Sequence, residues 1–195
     1  MGDTVLLHIC CGPCSLYVVE SLRRRGIDVV GYFYNPNIHP YLEYRRRLES
    51  LYRASQAIDY KLLVETGYDI EDYFRAVAAH ESFPDRCERC YELRLNRAAE
   101  VAKEKGLPRF TSTLFHSIYQ DHDRMKRIAE DAAQKAGVEF LYIDFRDGWR
   151  EGIELSKKLG LYQQKYCGCI YSERERYLPE YRPKRVKSRW NRRTS

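Results

Sequence analysis

Apolar positions along the chain follow two rhythms. TVLLHI, DVVGYFY, YKLLV, RFTSTLF and VEFLYIDF are short runs rich in β-branched, leucine and aromatic residues, the composition of strands buried in a parallel sheet. Between them the apolar residues recur at helical spacing. Leu16, Val19 and Leu22 do so within SLYVVESLRRRG, which Gly26 ends. The same holds for the charged stretch from Tyr41 to Ala57, for YDIEDYFRAVAAH, for YELRLNRAAEVAKEKG, for DHDRMKRIAEDAAQKAG and for GWREGIELSKKLG. Two prolines make NPNIHP an extended loop after the second strand. HESFPDRCERC reads as a loop leading into the long helix that starts at Tyr91.

Strands that alternate with helices predict βαβ units and one parallel sheet, an α/β domain. Right-handed crossovers bring the loops that follow the strands to one edge. Ligands in such sheets bind at that edge, near the point where the strand order reverses. The segment HICCGPCS, His8 to Ser15, follows the first strand and falls in that position.

A length of 195 residues fits one domain, and 44% hydrophobic residues exclude wholesale disorder. The N-terminus carries no basic leader, and no stretch approaches the roughly 20 apolar residues that cross a bilayer. These features predict a cytoplasmic protein without membrane contact, in which thiols stay reduced. Charge changes the picture at one end only. The net charge is +6, and RPKRVKSRWNRRTS, from Arg182 to Ser195, holds seven Lys/Arg and no acid. Of 34 basic residues this leaves 27 for the first 181 positions, against 28 acidic ones. Such a tail neutralises phosphates in nucleic acid, or serves as a solvated end.

Seven cysteines form three groups: Cys10, Cys11 and Cys14; Cys87 and Cys90; Cys167 and Cys169. In a reducing compartment such groups bind metal or do redox chemistry. The first two groups sit at predicted helix N-termini, where the helix dipole favours anionic sulfur. Iron–sulfur or mixed iron sites, a four-cysteine zinc site and thiol redox chemistry all fit the spacing. Five neighbouring thiols leave one more than zinc requires. Cys167 and Cys169, one glycine apart, read as a redox-active pair, as further metal ligands or as two free thiols.

LLHICCGPCS, YFYNPNIHPYLEYRRRL, RCERCYELRL, TSTLFHSIYQDH, YIDFRDGW and YQQKYCGCIYSERER follow in order along the chain. Together they resemble the QueH-type epoxyqueuosine reductases, over about residues 4–177. The resemblance implies an α/β, Rossmann-like fold of the adenine nucleotide α-hydrolase kind. It divides the chain into a metal-binding catalytic domain, 1–177, and a basic C-terminal tail, 178–195. It implies an oxidoreductase of tRNA processing and queuosine biosynthesis, which reduces epoxyqueuosine in the anticodon loop by two-electron epoxide deoxygenation. The implied cofactors are a 4Fe-4S cluster and an additional iron ion, without cobalamin. Nucleotide-binding relatives of the fold carry S-G-G-x-D-S where this chain has CCGPCS, so ATP is not expected as a substrate.

The resemblance assigns the cluster to Cys10, Cys11, Cys87 and Cys90, and makes Cys14 the candidate for the additional iron. Asp144, near the end of VEFLYIDF, is the candidate oxygen ligand, or else caps a strand end. His116 and Tyr119 are candidates to donate protons or bind the base, or are structural. His8 is expected to be buried in the strand; Asn35, Asn37 and His39 shape the pocket or form turns. Cys167 and Cys169 are the candidate redox disulfide, and the electron donor is unknown. The tail is expected to meet tRNA through Arg182, Lys184, Arg185, Lys187, Arg189, Arg192 and Arg193, with Trp190 as a stacking ring. Two other functions fit parts of the pattern. One is a tRNA sulfur-transfer enzyme on the same fold; the other is a zinc-stabilised RNA-binding module without chemistry.

Overall fold

The computed structural model describes residues 3–183. Among these, five strands form one sheet: β1 (Thr4–His8), β2 (Asp28–Phe33), β3 (Lys61–Val64), β4 (Arg109–Ser112) and β5 (Glu139–Phe140). Their order is β3-β2-β1-β4-β5, and every pairing is parallel. The helices are α1 (Gly12–Arg23), α2 (Tyr41–Ala57), α3 (Ile70–Val77), α4 (Asp85–Glu104), α5 (His122–Ala136), α6 (Trp149–Lys158) and α7 (Ile170–Tyr177). This is the expected α/β, Rossmann-like arrangement.

β1 takes the centre because Val5, Leu6 and Leu7 are apolar on both faces and wholly buried. Burying each such side chain contributes roughly 1.5–3 kcal/mol. The strand pairs with β2 at Val5↔Val29 and with β4 at Leu6↔Phe110. The chain runs outward from β1 to β3, then returns to the other side of β1 as β4. Right-handed crossovers in the two directions place helices on opposite faces. α1 accordingly packs with α2 and α6, whereas α4 packs with α3 and α5. The seam between α4 and α5 is made of small side chains, including Ala98, Ala102, Ala129 and Ala132, all buried. The strand order reverses between β1 and β4, so their carboxyl ends flank the ligand position of the fold.

Four element boundaries depart from the expectation. α1 starts at Gly12, not Ser15, because Pro13 suits the first turn and extended Cys11 precedes it as N-cap. β4 stops at Ser112, whose hydroxyl accepts from the Leu114 N–H at 3.1 Å and turns the chain into a 3-10 segment, Thr113–His116. β5 is only two residues long. Beyond it the chain bends so that the Phe145 N–H reaches the Phe115 carbonyl at 3.2 Å. α4 starts at Asp85, so Cys87 and Cys90 lie on the helix and not in a loop. Asp85 and Glu88 favour that early start by facing the positive end of the helix dipole. No helix among the described residues is long and apolar enough to cross a membrane.

Candidate metal centre

The carboxyl end of β1 delivers Cys10 and Cys11, and the first turn of α1 delivers Cys14. Their three sulfurs lie within 4.8 Å of one another. Cys10 is half-buried, and Cys11 and Cys14 are buried. The 3-10 segment that follows β4 fixes the group: the Cys10 N–H donates to Thr113 Oγ1 at 3.1 Å, and that hydroxyl donates to Cys10 Sγ at 3.4 Å. Hydrogen bonds from Cys11 and Cys14 hold Cys10 well below the usual thiol range. The same bonds raise Cys11 and Cys14 well above it. Three sulfurs thus converge at the positive end of α1, a donor set suited to a thiophilic cation.

The second pair lies on α4 and is not part of the group whose sulfurs come within 4.8 Å of one another. Cys87 and Cys90 sit in the first two turns of α4. Cys90 shares a buried cluster with Cys169, Tyr73 and Val77. Burial, and then Cys167, push the Cys87 thiol well up. Burial pushes Cys90 up to about 12, against the pull of Arg94. The loop that carries Cys167 and Cys169 is strapped down by a buried charge. Arg47, 1% exposed, pairs with Glu43 at 2.7 Å and donates to the carbonyls of Cys167 (2.9 Å) and Tyr166 (3.0 Å). The His39 N–H donates to the Gly168 carbonyl at 2.8 Å. Gly168 has φ +149°, and a Cβ there would meet Asn37 Nδ2 at 3.0 Å, so glycine is required between the two cysteines. Arg86 and Glu175 form a buried ion pair that ties α4 to α7. Cys167 is exposed and accepts from Gln120 Nε2 at 3.6 Å; Cys169 is buried as the N-cap of α7. Both are free thiols.

The other candidates are more scattered. His8 is wholly buried, with Nδ1 2.8 Å from Ser112 Oγ and Nε2 3.2 Å from the Tyr34 carbonyl. Burial lowers it to about 4. Asn35 donates to the Ile9 carbonyl at 2.8 Å and so holds the turn that leads into Cys10. His116 is buried between the rings of Tyr17 and Trp149, 5.5 and 5.4 Å away, and Tyr119 stands exposed on the far side of Trp149. Asp144 lies four residues beyond the end of β5 and outside the sulfur triad. Arg146 holds its carboxylate at 2.9 Å through Nε and 2.5 Å through Nη2. Arg182 donates to the Glu175 and Arg176 carbonyls at 3.0 and 3.1 Å, closing the end of α7. Lys184, Arg185, Lys187, Arg189, Trp190, Arg192 and Arg193 lie outside the described residues.

Thr113, Arg47 and Arg94 were not singled out from the sequence. Arg94 carried a signal: in RCERCYELRL it follows Cys87 and Cys90 at spacings of seven and four, which places a cation on the cysteine face of the helix. The donor set fits a metal–thiolate group. Soft sulfur ligands converge at the fold's ligand position, and a buried guanidinium nitrogen, Arg94 Nη2, lacks any partner beside them.

The family model described as epoxyqueuosine reductase QueH matches residues 5–175. The epoxyqueuosine reductase QueH of Dehalococcoides mccartyi is 38% identical over 177 residues, covering 91% of this chain and 96% of that protein. Its namesake from Thermotoga maritima is 36% identical over 182 residues, covering 89% and 92%. Among solved structures, a predicted subunit of tRNA methyltransferase from Methanocaldococcus jannaschii has a TM-score of 0.53 at 12% identity. That match covers 90% of this chain and 87% of the other and speaks for the fold alone. A cysteine triad at the switch point of a parallel sheet, in a chain matched from end to end of its catalytic fold, belongs to the QueH epoxyqueuosine reductase family of oxidoreductases.

Proposed function

We propose that this chain reduces epoxyqueuosine in a tRNA anticodon loop to queuosine, with Cys10, Cys11, Cys87 and Cys90 holding a 4Fe-4S cluster. The observation that carries the proposal is the convergence of the Cys10, Cys11 and Cys14 sulfurs within 4.8 Å at the carboxyl end of β1. Cys14 is left for an additional iron. Asp144 would supply an oxygen ligand there only after release from Arg146. When bound, such a group supplies electrons singly and a Lewis-acidic iron for the epoxide oxygen. Neither cobalamin nor ATP takes part.

The chain's own residues account for the remaining steps. Epoxide deoxygenation consumes two electrons and two protons and leaves an alkene and water. Oxidation of Cys167 and Cys169 to a disulfide releases two electrons and two protons, so the pair matches that demand in one turn and awaits an external reductant for the next. Cys169 is buried beside Cys90 and Cys167 is exposed, an arrangement that suits relay from an outside donor inward. Burial lowers His116, which favours its neutral form, able to accept and pass a proton near Cys10. Tyr119, exposed beside Trp149, suits stacking or hydrogen bonding to an unpaired base. We assign residues 1–177 to this chemistry and 178–195 to tRNA contact in a cytoplasmic protein.

The test is iron, acid-labile sulfide and zinc content of protein purified without oxygen, followed by nucleoside analysis of epoxyqueuosine-containing tRNA after incubation with dithionite. Iron, sulfide and conversion to queuosine are the expected results. Zinc alone, without turnover after anaerobic reconstitution, would replace the proposal with an RNA-binding module. ATP-dependent sulfur incorporation would replace it with a sulfur transferase.

A further inference from the structure

Arg94 is a buried arginine whose burial its protein contacts leave unexplained. It is 2% exposed. Its Nε donates to the Cys90 carbonyl at 3.1 Å, and its Nη2 has no hydrogen-bond partner among the described residues. Among the described residues no carboxylate forms an ion pair with it, in contrast to Arg47 and Arg86, the other deeply buried arginines, which pair with Glu43 and Glu175. A buried charge without a partner is strongly destabilising, so a fold that keeps one has an anion for it to meet. The candidates for that anion are the sulfurs around it. Burial works against the Arg94 charge, and negative charge on Cys90, Cys167 or Cys10 works for it. These three cysteines come from the three separate cysteine-bearing segments, so the guanidinium responds to charge on any of them.

We propose that Arg94 is a positioning residue whose buried, permanently charged guanidinium neutralises the anionic metal–thiolate group between β1 and α4 and raises its reduction potential. The proposal rests on the cluster assigned above. Two features of the chain make the role specific. Arginine keeps its proton in any protein environment, so the charge cannot be shed on burial as a lysine's can. The position is also rigid. Arg94 follows Cys90 by one helical turn on α4, and its own Nε bond to the Cys90 carbonyl fixes the side chain against the turn that presents that sulfur. A thiolate-ligated cluster becomes more negative on reduction. A nearby fixed cation therefore stabilises the reduced form more than the oxidised one, and charge and hydrogen bonds at the sulfurs are established levers on cluster potential. Nη2, the nitrogen left without a partner, is free to donate to such a sulfur.

The experiment compares wild type, Arg94→Lys and Arg94→Gln, each reconstituted anaerobically and titrated by visible spectroscopy against a series of redox mediators, with iron and sulfide measured on every sample. The expected result is that Arg94→Gln is at least tenfold harder to reduce, about 59 mV for one electron, while Arg94→Lys stays closer to wild type. Equal potentials in all three loaded proteins would overturn the proposal. If Arg94→Gln folds but holds no iron, Arg94→Lys decides. Loading with a near-wild-type potential assigns the loss to charge and supports the proposal, and failure to load overturns it. Melting of the metal-free proteins separates a packing role. Metal-free Arg94→Gln should melt no lower than metal-free wild type, because it removes an unpaired buried charge, and a marked drop would make Arg94 structural. Wild-type protein without iron or sulfide would instead refute the cluster itself, a failure visible before any variant is made.

Discussion

A single side chain on α2 holds the loop of the third cysteine pair. Arg47 is buried with Glu43, and its two Nη atoms reach the Tyr166 and Cys167 carbonyls, while Tyr162 donates to the other oxygen of Glu43 at 2.5 Å. Removing one member of a buried pair leaves the other charge uncompensated, at about 3–5 kcal/mol. Arg47→Met should therefore lower the free energy of unfolding by an amount of that order, seen as a lower urea midpoint at an unchanged slope. Glu43→Gln added to Arg47→Met should regain a large part, because the amide carbonyl still accepts from Tyr162 and no charge is left buried. Thiol-reagent labelling of Cys169, now buried, should quicken in the single variant as the loop lifts. A loss below about 1 kcal/mol would show that backbone contacts alone seat the loop.

At the scale of elements, the turn CCGPC works because α1 and α2 come unusually close. A Cβ on Gly12 would lie 2.6 Å from the Ser50 carbonyl oxygen, which is backbone and cannot swing aside. Gly12→Ala should push the start of α1 away from α2, cost about 1–3 kcal/mol as an overpacked contact, and spread the sulfurs of Cys11 and Cys14 on either side of it. Iron bound per chain should fall together with the melting temperature; a fall in stability with full iron loading would mean that the sulfurs do not move with the helix. How far such elements are legible in the sequence depends on what drives each one. α2 spans Tyr41–Ala57 as its periodicity predicts, although its buried face mixes Tyr44, Leu51 and Ala54 with the polar Glu43, Arg47, Ser50 and Ser55. β5 does not run the length of VEFLYIDF: it pairs with β4 only at Arg109 and Phe110, and beyond Phe140 the chain bends toward Phe115, a tertiary event that no local pattern encodes. The early start of α4 escaped for a related reason. RCERC reads as a ligand loop when its spacing is viewed alone, whereas the buried face from Cys90 through Arg94 to Ala98 belongs to one helix. The cysteines themselves were legible, being rare and grouped. Arg47 and Thr113 were not, since an arginine or threonine far along the chain has no distinguishing spacing until the fold brings sulfur to it, whereas Arg94 was marked by its helical spacing from Cys87 and Cys90.

Across the whole molecule, charge and chemistry are separated. The first 181 residues are nearly neutral, and the excess of +6 arises from the stretch beginning at Arg182. Arg182 itself is engaged in closing α7, so the cations available for a polyanion begin at Lys184. That separation leads to a prediction in which the folded domain and the tail contribute different things to tRNA binding. Base-specific contact requires fixed groups near the cysteines, and the exposed rings of Tyr119, Tyr41 and Phe74 are available for stacking. Under the proposed function the tail would supply counterion release, which is indifferent to sequence and strongly dependent on salt. A chain ending at Pro183 loses six cations. If each of these meets a phosphate of a single-stranded loop, the slope of log affinity against log salt should become shallower by about 4. Discrimination between epoxyqueuosine-containing tRNA and unmodified tRNA should persist, because it resides in the folded domain. Binding measured across a salt series for both chains, with both tRNAs, separates the two terms. An unchanged slope would move the phosphate contacts onto the folded domain, and lost discrimination with an intact slope would give the tail a part in recognising the base.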